Sequence, residues 1–332
     1  MNSLGAAVVA GTGLPEQAGR RTPAGPKGAI GATHVMELRE GLRSLYQLDN
    51  AYGGGDVRSL ARRHLKRVER IVNTGHYPEA IGRQLQLVAG ETAEHCGWLY
   101  YDADDQEQAR RYWGEALETA TVLGDDNLAI MVLASLSMQA SYEGRPRQGL
   151  NLARAAQDRA RRYGSPVLMS LLASREARAL SLLRDDSAAT RTLIESMRLV
   201  ERGERGRPSP DWAAFHGHAE LDYAQGLFYT EAGHHGSAVQ FLRAALAHQD
   251  RTYGRNRALY RLTLSRSLIQ AGEADEAAAQ AIESLEHLEE VESGRVTRRL
   301  KEVTELLRDV DAPCAQEAAD HLTEYAETSG AA

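Results

Sequence analysis

Apolar residues recur along this 332-residue chain at the i, i+3, i+4, i+7 spacing of helices, and no segment shows the period-two, β-branched alternation of a strand. The periodicity starts near Met36. Leu38, Leu42, Leu45 and Leu48 form one stripe that Tyr52-Gly53-Gly54-Gly55 ends, and a second helix follows from about Val57 to Val72. After Pro78, placed where a helix begins, helices are expected in pairs: 79–102 with 106–123, 126–142 with 146–163, and 166–183 with 187–202. A Gly/Pro/Arg-rich break at Gly203–Pro210 precedes 211–232 with 236–250, 256–270 with 274–289, and a closing pair 295–309 with 313–327. Residues 1–34 are Gly-, Ala-, Pro- and Thr-rich with few bulky apolar side chains. They cannot offset the entropy of ordering and are expected to be disordered, which leaves 35–330 as the helical domain.

Small residues recur within this pattern. Gly97, Tyr100, Ala109, Trp113 and Ala116 are spaced as Gly226, Tyr229, Ala238, Leu242 and Ala245 are, at 3, 9, 4 and 3 residues. The residue at the turn inside each pair is Asp104, Gly144, Arg184, Gly233 or Gly272, at intervals of 40, 40, 49 and 39; the long interval holds the Gly203–Pro210 break. Five positions on comes a small residue each time: Ala109, Gly149, Ala189, Ala238 and Ala277. Antiparallel helices that cross closely and stack on copies of themselves need small residues at fixed register, so the chain reads as an all-α, right-handed helical-hairpin solenoid.

Composition agrees. The chain is 42% hydrophobic but only 6% aromatic, which favours a Leu/Ala/Val core with close helix contacts. The net charge of −7 argues against wrapping a polyanion. Residues 271–332 hold 16 acidic and 5 basic side chains, −11, so the rest sums to +4; this acidic end reads as a solvated face or a dock for a basic partner. Cys96 and Cys314 have no metal-ligand spacing and suit a reducing, cytoplasmic setting. No apolar run is long enough for a membrane span, and no secretory signal is recognised.

The small-residue pattern resembles the tetratricopeptide repeat, with a period nearer 40 than the usual 34. Residues 36 to about 310 further resemble the C-terminal sensor half of actinobacterial helix-turn-helix transcriptional regulators of the Cro/repressor type. Asp49-Asn50-Ala51-Tyr52-Gly53-Gly54-Gly55, Cys96-Gly97-Trp98-Leu99-Tyr100-Tyr101-Asp102 and Leu133-Ala134-Ser135-Leu136-Ser137-Met138-Gln139-Ala140 carry that resemblance, with Glu176-Ala177-Arg178-Ala179-Leu180 and Ala271-Gly272-Glu273. In those regulators a DNA-binding domain precedes the sensor half. Residues 1–34 cannot form its three packed helices, so direct DNA binding by this chain is not expected.

The repeat resemblance implies that the first helix of each pair lines a concave surface. Its register places there Glu94, Trp98, Tyr101, Met138, Tyr142, Ser174, Arg178, Glu220, Tyr223 and Arg266. Aromatic rings, Met and a few charges along a groove suit a peptide or protein segment; the alternative for Trp98, Met138 and Tyr142 is inter-repeat core. His216 and Glu220 share a helix face but His218 does not, which leaves too few ligands for zinc, and the histidines read as surface or groove residues. Tyr52-Gly53-Gly54-Gly55 lacks the Lys-Ser/Thr of a phosphate loop, and Asp104-Asp105, Asp125-Asp126 and Asp185-Asp186 read as helix caps. Arg58, Arg62, Arg63, Lys66, Arg67 and Arg70 run along one helix as a solvated face, an anionic docking face or a homodimer contact. No catalytic residue, metal or cofactor is expected. The function implied is a non-enzymatic regulatory sensor or adaptor with a peptide or protein partner. The alternatives are an assembly scaffold acting through its terminal or convex faces, and an accessory protein of a biosynthetic pathway.

Overall fold

The computed structural model describes residues 30–203, 207–250, 253–288 and 293–328. The expectation of disorder for residues 1–34 falls mostly on 1–29, outside the described residues. Fourteen α-helices are described: α1 (Ala32–Tyr52), α2 (Gly55–Thr74), α3 (Glu79–Asp102), α4 (Gln106–Leu123), α5 (Asp126–Tyr142), α6 (Pro146–Ala160), α7 (Pro166–Leu182), α8 (Asp186–Gly203), α9 (His218–Glu231), α10 (His235–His248), α11 (Gly254–Ala271), α12 (Ala274–Leu285), α13 (Gly294–Arg308) and α14 (Pro313–Thr328). There is no strand among the described residues. The helices form antiparallel hairpins, and the odd-numbered helices stack in order from α1 to α13. This is a helical-hairpin solenoid of tetratricopeptide-like repeats.

The recurrent small residues are where the hairpins cross. A β-carbon on Gly97 would lie 2.6 Å from the Trp113 indole, and one on Gly226 2.5 Å from Leu242, so in both hairpins the glycine receives the large residue of the partner helix. Ala109, Trp113, Ala116, Ala238, Leu242 and Ala245 are all fully buried. The tyrosine of each motif stacks on an aromatic ring of the partner helix, Tyr100 on Tyr112 and Tyr229 on Phe241, with ring centroids 5.4 Å apart in both. All five intra-hairpin turn residues are left-handed: Asp104 (φ 65°), Gly144 (72°), Arg184 (63°), Gly233 (77°) and Gly272 (82°). Two of the five turns therefore accept a side chain in a conformation that disfavours it. Asp105, Asp125 and Asp185 cap the helices that follow them, accepting from the backbone N–H of Gln108, Leu128 and Ala188.

The inner helices α3, α5, α7 and α11 are buried around most of their circumference; Leu128 to Ala134 of α5 is one continuous buried run. The even-numbered helices bury a single stripe, as Gly149, Ala153, Ala156 and Ala160 of α6 do. One expected helix is shorter than the periodicity suggested. Residues 211–217 form a 3-10 turn at Asp211–Ala213 and an extended Gly217, and α9 begins only at His218. Tertiary contacts outweigh the helical pattern there. The Trp212 indole donates to Asn127 Oδ1 at 3.0 Å, Ala213 is fully buried, and His216 is buried against Ser170.

Candidate functional site

The concave side is organised by four charges whose local positions are unfavourable. Asp49 lies in the last turn of α1 and Asp102 ends α3, where the helix dipole repels a carboxylate. Arg255 and Arg295 are the second residues of α11 and α13, where it repels a cation. Folding brings them together. Arg295 donates to Asp102 Oδ1 through Nε (3.0 Å) and Nη2 (2.6 Å), and Ser293 Oγ donates to the same oxygen at 3.1 Å. Arg255 Nη1 bridges Asp102 Oδ2 (3.2 Å) and Asp49 Oδ1 (2.7 Å), and the Trp98 indole donates to Asp49 Oδ2 at 2.9 Å.

Asp102 is fully buried and Asp49 is 3% exposed. Burial alone would raise the Asp102 pKa, but Arg255 and Arg295 outweigh it and hold the carboxyl below its usual range. Burial likewise works against the charge on both arginines, and the carboxylates raise their pKa in spite of it. The two guanidinium groups lie over the Trp98 ring at 5.4 and 5.1 Å, and Arg295 over Tyr101 at 4.9 Å. These bonds join residues 153 to 206 positions apart. They fasten the first inner helices to the last, so the concave surface closes into a lumen. The backbone at Gly294 packs against the turn after α3, so closely that a β-carbon there would lie 2.5 Å from the Ala103 carbonyl.

Aromatic and charged side chains continue around this clasp. The Tyr142 hydroxyl donates to Asp104 Oδ1 at 2.9 Å, and Arg298 sits 4.4 Å from the Tyr142 ring and 3.4 Å from Asp104. Glu220 Oε1 accepts from Tyr260 Oη at 2.6 Å and Asn256 Nδ2 at 3.3 Å, while Tyr260 stacks on Tyr223 at 4.2 Å. Arg175 of α7 shares this neighbourhood: burial lowers its pKa, opposed by Glu220, Tyr101 and Tyr260.

Of the ten residues read from the sequence, Trp98, Tyr101, Tyr142, Glu220 and Tyr223 lie around this clasp, but Tyr101 belongs to the buried core of α1 to α5 and Trp98 and Tyr142 pack on that core, as their alternative reading had it. Glu94 is buried and accepts from Ser135 Oγ at 3.1 Å; burial drives its pKa up to about 7. Ser174 is buried in α7, and Met138 packs on the core shared by α1 to α5. Arg178 pairs with Glu231, and Arg266 with Glu302 at 2.9 Å. Arg266 and Glu231 line a separate cleft of about 520 Å³ together with Glu302, Glu305 and Asp309.

The sequence reading missed Asp49, Asp102, Arg175, Arg255, Arg295 and Tyr260 as site residues. One signal was available: Gly254-Arg255 and Gly294-Arg295 stand 40 residues apart, the repeat interval. The expectation that the histidines are surface or groove residues fails for His216, which is 4% exposed and bonded to Ser170 Oγ at 2.9 Å. His218 and His248 lie together instead, with His248 on Asp222. Among the described residues no group of three or more His, Cys, Asp and Glu side chains could hold a metal, and no helix is long and apolar enough to cross a membrane.

No family model matches the chain, and no curated protein matches it in sequence. Among solved structures, a Rap protein in complex with Competence and Sporulation Factor is similar over 90% of this chain and 96% of that one, with a TM-score of 0.54 and 12% identity. BtubC (BKLC) from P. vanneervenii is similar over 69% of this chain and 89% of that one, with a TM-score of 0.47 and 16% identity. The likeness to the Rap protein is one of fold.

Proposed function

We propose that this chain is a non-enzymatic sensor or adaptor that binds a peptide or protein segment on its concave side. The observation that carries this reading is the convergence of Trp98, Tyr101, Tyr142, Tyr223 and Tyr260 with Arg175, Arg255 and Arg295 on a single inner surface built from successive hairpins. Rings offer contact area at low entropic cost, and guanidinium groups among them recognise polar backbone and carboxylate groups. A Rap protein of the same fold, solved in complex with a factor, supports a binding role. The resemblance of residues 36 to about 310 to the sensor half of Cro/repressor-type regulators is what suggests a role in transcriptional regulation. Binding would shift the equilibrium between the closed lumen and an opened solenoid, and so alter the surfaces offered to a partner.

Selection from a displayed peptide library tests this. Enriched sequences are expected for the wild type and are expected to weaken about tenfold or more for Tyr142→Ala, Tyr223→Ala or Glu220→Ala, with helical content unchanged. No enrichment, or affinities indifferent to all three substitutions, would remove the reading. A scaffold acting through its ends is the second reading, favoured by the exposed basic row Arg62, Arg63, Lys66, Arg67 and Arg70 of α2 against the acidic C-terminal segment. It predicts concentration-dependent assembly that charge reversal on α2 abolishes.

A further inference from the structure

The arginines of the lumen are not equivalent. Arg255 and Arg295 are consumed by Asp49 and Asp102. Arg175 has no ion pair or hydrogen bond among the described residues, and its Nε is buried without a partner. Glu220, the carboxylate that acts on it, spends Oε1 on Tyr260 and Asn256 and makes no ion pair with it. Holding a cation this way is costly, because desolvation is not repaid by a counter-charge. A side chain needed only for packing would serve better as Met or Leu. The residue is also not sealed off: Arg175, Trp98, Tyr142, Glu220 and Tyr223 each keep partial exposure.

We infer that Arg175 is the receptor for a carboxylate group of a ligand on the concave side. This rests on the reading of the concave surface as the binding face and specifies its ligand. The guanidinium fork matches a carboxylate bidentately. With a single uncommitted arginine among the described lumen residues, a monoanion is favoured over a phosphate. Arg175, Arg255 and Arg295 face Asp49, Asp102 and Glu220 in one lumen, and two of those arginines are committed. The carboxylate is either the C-terminus of a peptide or an Asp or Glu side chain.

Three pools of random N-acetylated pentapeptides separate these sources: one with a free C-terminus and no acidic residues, one amidated with no acidic residues, and one amidated but containing Asp and Glu. Each is offered to the full-length chain, and retained peptides are quantified by mass spectrometry. At least one carboxylate-bearing pool is expected to be retained tenfold or more over the carboxylate-free pool. That preference is expected to vanish in Arg175→Met and to fall in Arg175→Lys, which keeps the charge but not the fork. Both variants are expected to keep the wild-type circular dichroism, and Arg175→Met to melt no lower than the wild type, since no protein partner of Arg175 is lost. Equal retention of all three pools, an unchanged preference in Arg175→Met, or stronger displacement by inorganic phosphate than by acetate overturns the carboxylate assignment alone. Retention of no pool overturns it together with the binding reading.

Discussion

Substituting Asp102 by Asn removes the charge at the centre of the clasp and keeps the shape of the side chain. Asp102 is fully buried and receives two bonds from Arg295, one from Arg255 and one from Ser293. Arg255 retains Asp49 after the change, whereas Arg295 has no second carboxylate and is left buried and uncompensated. Removing one partner of such a pair costs about 3–5 kcal/mol. Asp49→Asn should cost less, because Arg255 keeps its ion pair with Asp102, and at residue 49 Arg255 and the Trp98 indole are left with a weaker, neutral acceptor. Pairing Asp102→Asn with Arg295→Met should recover much of the loss, since both buried charges then go together.

The loss should appear in a specific way. A solenoid is held mainly by neighbour-to-neighbour contacts, so the clasp contributes to closure more than to each hairpin. Spin labels at the exposed Lys66 of α2 and Lys301 of α13 read that closure as a distance distribution. Asp102→Asn should shift the distribution to longer distances and broaden it while helical content stays near that of the wild type. An unchanged distribution with less than about 1 kcal/mol lost in urea titration would refute the idea that these four charges hold the lumen shut.

Three further outcomes follow from single residues. Gly97→Ala should cost about 1–3 kcal/mol by overpacking, because its new methyl meets the fully buried Trp113 indole at 2.6 Å; a melting curve matching the wild type would contradict this. Arg184→Gly should gain about 0.5–1 kcal/mol by relieving a left-handed side chain, read as a higher urea midpoint. Glu94 has its pKa raised from 4.5 to about 7 by burial, so the folded state holds this proton more tightly than the unfolded state. The stability Glu94 contributes is therefore full below pH 4.5 and lost as the pH rises through 7. Glu94→Gln should gain about 3 kcal/mol on the wild type between pH 4.5 and pH 7.5, and a pH-independent difference in urea titrations would argue against a protonated Glu94.

The hairpins were legible because their determinants are local. Apolar spacing set the helix faces, Asp105, Asp125 and Asp185 set helix starts, and the five turn positions identified from their intervals are the five left-handed residues inside the hairpins. Legibility failed at 211–217, where Trp212 and His216 are held by α5 and α7 rather than by a helix of their own. It was partial at the candidate site. Trp98, Tyr101, Tyr142, Glu220 and Tyr223 could be assigned to the inner side because repeat register carries over from one unit to the next. Arg178 and Arg266 follow the same register but are spent on Glu231 and Glu302 near a separate cleft.

The sequence by itself determined the repeat: small residues at fixed register force helices to cross closely, whatever lies elsewhere in the chain. Only the tertiary structure decided that the solenoid closes. Asp49 and Asp102 at helix C-termini, and Arg255 and Arg295 at helix N-termini, each oppose the local dipole and read as misplaced charges when taken alone. Their stabilisation comes from partners 153 to 206 residues away. Which arginine is left unpaired in the lumen is settled by that long-range pairing, because charge balance inside a closed surface is a property of the whole ring and of no single repeat.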